Sequence, residues 1–149
     1  MAETTKSIAT DFRIKNTAKG RQIFDPVRKK FVSCTPEEVV RQRVLNFLLS
    51  RKRIPINLIN VEKQLLISQR TKRYDLVVYN RDGSVFLIVE CKAPNVKISQ
   101  ATFDQIARYN MSTRAANLMV SNGEHNYFCA IDYKNQSYSF MNDLPNYTL

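Results

Sequence analysis

Two apolar runs separated by a polar turn dominate the middle of the chain. Tyr74-Asp75-Leu76-Val77-Val78-Tyr79 is aliphatic and aromatic apart from one aspartate, and Val85-Phe86-Leu87-Ile88-Val89-Glu90-Cys91-Lys92 stays apolar until its last three residues. Asp82-Gly83 lies between them and is a strong hairpin signal, so the pattern predicts two paired strands. Upstream, Thr35-Pro36-Glu37-Glu38 supplies an N-cap, a proline at the first helical position and an acidic first turn. Val40, Val44, Phe47 and Leu48 follow at helical spacing, predicting a helix to about residue 52. Residues 61–68 read as a strand. Residues 100–112 read as a second helix with Phe103, Ile106 and Ala107 inward. Residues 117–121 form a strand stopped by Asn122-Gly123, and 126–133 with 137–141 form a terminal hairpin. Short strands at 22–24 and 30–32 flank the turn at Asp25-Pro26.

The predicted order is therefore αβββαβ with β-hairpin extensions, an α/β fold. Residues 1–21 are polar and read as an N-terminal extension, with a loosely held arm up to about residue 20, and residues 22–149 as one domain. No run of 18 apolar residues occurs and the N-terminus lacks an apolar core segment, so no membrane span or signal peptide is expected and the location implied is cytoplasmic. Cys34, Cys91 and Cys129 are odd in number and widely spaced, which argues against a disulfide framework or a zinc site and for reduced, mostly buried thiols.

Charge changes the picture. Of the net +10, the residues before Asp75 carry 17 Lys and Arg against 6 acidic residues, whereas those from Asp75 onward carry 6 against 7. Arg28-Lys29-Lys30, Arg51-Lys52-Arg53 and Arg70-Thr71-Lys72-Arg73 are the densest clusters. A field of that sign attracts polyanions, DNA or RNA.

The chemistry sits at the end of the central hairpin. Side chains alternate along a strand, so Glu90 and Lys92 share one face, and the hairpin carries Asp75 to the neighbourhood of Glu90. Charged groups inside apolar strands are costly unless paired or bound to metal. Two carboxylates are a set that suits Mg2+ or Mn2+, with water and a substrate phosphate completing the shell. Glu37 is the candidate for a further acidic ligand from the inward face of the first helix, with Glu38 as its competitor. Arg41 is open between a phosphate and Glu37.

Asp75 followed by Glu90-Cys91-Lys92 resembles the signature of the PD-(D/E)xK nuclease superfamily, with Tyr74 in the place of the usual proline. Gln105 and Tyr109 match the Q-x-x-x-Y pattern of its RecB-like branch. The stretches 23–30, 35–42, 89–94 and 121–123, in that order, resemble the N-terminal nuclease domain of type I restriction enzyme R subunits in a short stand-alone form. The resemblance implies a restriction-endonuclease-like three-layer core with a mixed central sheet flanked by helices. It also implies an Mg2+- or Mn2+-dependent DNA endonuclease. Asp75 and Glu90 would bind the metal, Lys92 would act on the attacking water, and Gln105 with Tyr109 would support the site and the DNA backbone. The chain carries no G-x-x-x-x-G-K-[ST] phosphate loop, so ATP-driven translocation would come from a motor or specificity subunit in trans or be absent; a second copy of the chain is a further partner to consider. The alternative is a nucleic-acid-binding or assembly module that uses the nuclease fold without turnover. His125, the single histidine, is expected to be exposed, and His-based catalysis is disfavoured.

Overall fold

The computed structural model describes residues 12–67 and 69–147. It opens with a three-stranded antiparallel sheet, β1 (Ile14–Thr17), β2 (Gly20–Asp25) and β3 (Lys30–Ser33). β1 lies inside the stretch expected to be a loose polar arm. Its side chains are all exposed; backbone pairing with β2 defines it, which no hydrophobic pattern announces. Residues 1–11 of that arm, and Ser68 at the end of the predicted 61–68 strand, lie outside the described residues.

Helix α1 (Pro36–Asn46) begins as its cap predicts, with Thr35 Oγ1 accepting the Glu38 N–H at 3.1 Å. It continues as a single π-helical turn over Phe47–Arg51, so the helical stretch runs almost to the expected end. Strands β4 (Ile59–Ile67), β5 (Arg70–Tyr79) and β6 (Val85–Cys91) follow, then α2 (Gln100–Asn110), β7 (Asn117–Ser121), β8 (Asn126–Asp132) and β9 (Ser137–Met141). The six strands lie in sequence order in one sheet. Only β6 and β7 run parallel, and α2 makes that crossover.

The sheet is the middle of three layers. Val40, Val44, Leu45, Phe47 and Leu48 pack with Leu76, Val78, Leu87, Val89 and Met119 on one face. Phe103 and Ala107 of α2 pack with Val77, Ile88, Leu118 and Val120 on the other. Strands covered on both sides must be apolar at successive positions, which is why β6 and β7 read as unbroken hydrophobic runs. Each fully buried aliphatic side chain contributes roughly 1.5–3 kcal/mol to holding the layers together. A mixed sheet between two helices is the architecture expected from the sequence.

Candidate active site

The alternation of β5 breaks once, at Asp75. Leu76 and Val78 belong to the α1-side core and Val77 to the α2-side core, yet Tyr74 also lies on the α2 side. Regular pleating would put Tyr74 on the α1 side with Leu76. Across on β4, Val61 pairs with Leu76 and Lys63 with Tyr74, but the intervening residue, Glu62, sits at φ 53°. That left-handed conformation is uncommon for a residue other than glycine and costs on the order of 1–3 kcal/mol. On the other side, the β5–β6 pairing ends at Leu76 and Val89. Asp75 thus stands where both neighbouring strands part from regular geometry, and it turns toward α1.

There its two oxygens are taken. Oδ1 accepts from Arg41 Nη2 at 2.9 Å and Oδ2 from the Cys91 backbone N–H at 2.8 Å. Arg41 is buried on α1 and also donates to Glu38 at 2.9 Å, with Glu62 at 3.7 Å and Glu37 at 3.9 Å. Arg28, from the turn after β2, binds Asp25 at 2.7 Å, Glu38 at 2.6 Å and Glu62 at 3.3 Å. Burial works to raise the Asp25 carboxyl, but hydrogen bonds and charge from Arg28 and the Val27 N–H overcome it and hold the group below its usual range. Two guanidiniums therefore face five carboxylates, Asp25, Glu37, Glu38, Glu62 and Asp75. A surface depression lined by Thr35, Glu37, Glu38, Arg41, Glu62 and Ala93 opens onto this network.

Glu90 faces a different cation. Its Oε1 accepts from Lys72 Nζ at 3.1 Å, and that ammonium lies 3.7 Å from the Tyr109 ring centre and 4.7 Å from that of Tyr74. Burial pushes the Glu90 carboxyl above its usual range, and the charge of Asp75 pushes the same way, against Lys72 and Lys92. The same setting raises the Tyr74 phenol to about 12, through burial first and then Glu90. Asp75 and Glu90 are thus electrostatic neighbours at the point where β5 and β6 part, each bound to its own cation.

Lys92 follows the last residue of β6, and its backbone N–H continues the pairing to β7 by donating to Ser121 O at 2.8 Å. It is half-buried, next to Ala93 at the depression. Of the two helix carboxylates, Glu38 turns inward and Glu37 keeps about half of its side chain in solvent. The inward placement expected for Glu37 is thereby corrected. Glu38 is the third helical residue, whose side chain is drawn into the two arginines, while Glu37 reaches only the edge of Arg41. Tyr109 is exposed and reaches the Glu90 side through Lys72, whereas Gln105 is exposed beside it on the outer surface of α2. His125 is half-buried rather than exposed, and its backbone N–H donates to Asn122 Oδ1 at 2.8 Å.

A family model described as the type I restriction enzyme R protein N terminus matches residues 36–145, well over half of the 149 residues. The chain belongs to that family. No curated protein matches it. The segment matched to the R-protein N terminus begins at the first residue of α1 and contains Glu37, Glu38, Arg41, Glu62, Lys72, Asp75, Glu90, Lys92, Gln105 and Tyr109. Asp25 and Arg28, which brace Glu38 from the small sheet, precede it.

The three basic clusters divide in a way the sequence conceals. Each gives up one residue to an internal ion pair: Arg28 as above, Lys52 to Asp143 at 2.7 Å, and Lys72 to Glu90. Lys29, Lys30, Arg51, Arg53, Arg70 and Arg73 remain exposed. Sequence reasoning also missed Glu62 and left Arg41 open. Glu62 is an acid in a weakly patterned strand, and its only signal is a backbone angle. Arg41 lies one helical turn from both Glu37 and Glu38, a spacing that allows an ion pair but gives no sign of Asp75.

Proposed function

We propose that the domain is a metal-dependent DNA endonuclease of the restriction type, working with the motor and specificity functions of a restriction system. The observation that carries the reading is the Asp75–Glu90 pair, two half-buried carboxylates set where β5 and β6 diverge, with Lys92 two residues beyond Glu90.

Carboxylate oxygens suit a hard divalent cation, which the two would approach from different sides, Asp75 from beside Arg41 of α1 and Glu90 from beside Lys72 and Tyr109 of α2. Glu90 is held above its usual range mainly by burial, an environment in which an added positive charge is favourable. The carboxylate excess around Asp75 works in the same direction. Among the described residues no group of three or more His, Cys, Asp or Glu is arranged to hold a metal. The reading calls instead for an ion bound through only two carboxylates and completed by water and phosphate, the habit of Mg2+. Such an ion supplies activation of a bound water and charge neutralisation at the scissile phosphate. The chain's own part is then to hold and orient. Cys91 N–H fixes one oxygen of Asp75, and pairing to Ser121 fixes the backbone of Lys92, whose amine orients the water and offsets the charge developing on the phosphate. Tyr109 and the exposed Arg70 and Arg73 lie on the outside, where they would meet the nucleic acid backbone. Among the described residues no helix is long and apolar enough to cross a membrane.

A second reading has its own observation. Both carboxylates are already neutralised, by Arg41 and Lys72, as they would be in a structural ion-pair network of a DNA-binding or assembly module. Cleavage separates the two. Purified wild type with Mg2+ or Mn2+ should nick plasmid or cut single-stranded DNA, and Lys92→Ala from the same preparation series should lose on the order of a hundredfold or more in rate. Indistinguishable rates across both metals and both substrates would favour the module.

A further inference from the structure

Arg41 and Lys72 occupy the oxygens a metal would need. Arg41 holds Asp75 Oδ1 at 2.9 Å and Lys72 holds Glu90 Oε1 at 3.1 Å, while the other Asp75 oxygen is tied to the backbone. Neither cation is confined to that seat. Arg41 has Glu38 at 2.9 Å and two further carboxylates, Glu62 and Glu37, within 3.9 Å. Its Nε is buried with no acceptor, so its present position leaves one donor unsatisfied. Lys72 has the faces of Tyr109 and Tyr74 against its ammonium, and these would keep it favourably placed after it left Glu90.

We propose that Arg41 and Lys72 are resident counter-cations: they neutralise Asp75 and Glu90 in the ion-free protein and withdraw, Arg41 toward Glu62 and Glu37 and Lys72 onto Tyr109, when a divalent cation enters. This rests on the metal reading above and adds to it a built-in competitor. It accounts for two half-buried carboxylates at one opening of the sheet that are stable without metal, since uncompensated like charges would repel one another. It also makes metal affinity a difference between two cations rather than a property of the carboxylates alone.

The test is a thermal titration of wild type, Lys72→Gln, Arg41→Gln and Asp75→Asn with Mn2+. Because Mn2+ binds the folded state, the rise in melting temperature with concentration gives an apparent Kd. Removing a competing charge about 3 Å from a ligand oxygen should lower that Kd by roughly tenfold or more, as expected for a pair in partly buried surroundings. Lys72→Gln carries the test if Arg41→Gln does not fold, since Lys72 is more exposed than Arg41. Tighter Mn2+ binding by either variant, whether or not wild type responds measurably, supports the competitor. A wild type that responds while Lys72→Gln and any folded Arg41→Gln respond equally or more weakly overturns it and leaves the metal site standing, whereas Asp75→Asn, which removes a ligand, should respond more weakly than wild type. If neither wild type nor variants respond, the metal reading falls and the competitor falls with it.

Discussion

Cys91 donates its backbone N–H to Oδ2 of Asp75 at 2.8 Å, a side-chain oxygen standing in for the next backbone carbonyl of β5. The neighbouring N–H of Lys92 turns the other way, to Ser121 of β7. Successive N–H groups of a strand point to opposite sides, so the Cys91 N–H faces β5 and would otherwise lose its partner where the two strands part. Asp75 therefore closes the sheet at the same point where it presents its second oxygen to Arg41.

That double role sets the effect of replacing it. Asp75→Ala should cost about 3–5 kcal/mol, because it leaves a buried guanidinium without one of its close partners and a strand N–H without an acceptor. Asp75→Asn keeps an oxygen for the Cys91 N–H and should cost clearly less. Urea denaturation of the two variants measures the difference.

The Asp25 carboxyl gives the acid limb of stability. Its folded-state value lies below the ordinary 3.8, so its contribution is fully present above the unfolded value and is lost as pH falls through the folded one. Wild type should lose stability on acidification below about pH 3.8, and Asp25→Asn should be less stable at neutral pH with a flatter acid limb. Asp25 Oδ1 accepts from the Val27 and Arg28 N–H groups at 2.8 Å and Oδ2 from Gln42 Nε2 at 2.9 Å. The loss at neutral pH should thus be of the size seen when a buried ion pair is broken, about 3–5 kcal/mol. Denaturation midpoints measured between pH 2 and 7 would show both effects.

Much of this was legible in the sequence. The hairpin of β5 and β6, the capped start of α1 and the apolar parallel strands announce themselves by turn chemistry and periodicity, and Asp75, Glu90 and Lys92 stand out because charge inside apolar strands is expensive. What surrounds them was not legible. Arg28 and Lys72 read as members of basic runs, yet one is drawn to Asp25, Glu38 and Glu62 and the other to Glu90, by partners distant in the chain. Glu62 is a single acid in a half-exposed strand, and only its φ of 53° marks it. β1 escaped because a strand with four exposed side chains carries no pattern.

The division of the basic clusters predicts which charges meet a polyanion. Arg70→Gln with Arg73→Gln should weaken binding to duplex DNA and reduce the salt slope by about one unit for each phosphate no longer neutralised. Lys52→Gln should leave that slope unchanged and instead lower stability, since Lys52 ties Asp143 and the Leu144 carbonyl to the helical layer. Fluorescence anisotropy over a range of salt concentrations distinguishes the two variants.

Gly123 is fixed by its place between β7 and α1. It sits at φ 91°, and a Cβ there would come within 3.2 Å of Val40 Cγ2. Gly123→Ala should therefore destabilise the domain by about 1–3 kcal/mol through backbone strain and pressure on α1. Calorimetry of the variant alone, and with Val40→Ala to relieve the contact, separates the two causes.

Asp75 and Glu90 are proposed to hold a divalent cation together. Anomalous scattering from a crystal soaked in Mn2+ tests it most directly. The account predicts a peak between the two carboxylates, with the Arg41 and Lys72 side chains moved off their oxygens. An Mn2+ peak elsewhere, or none, with Arg41 still on Asp75 and Lys72 still on Glu90, would contradict it.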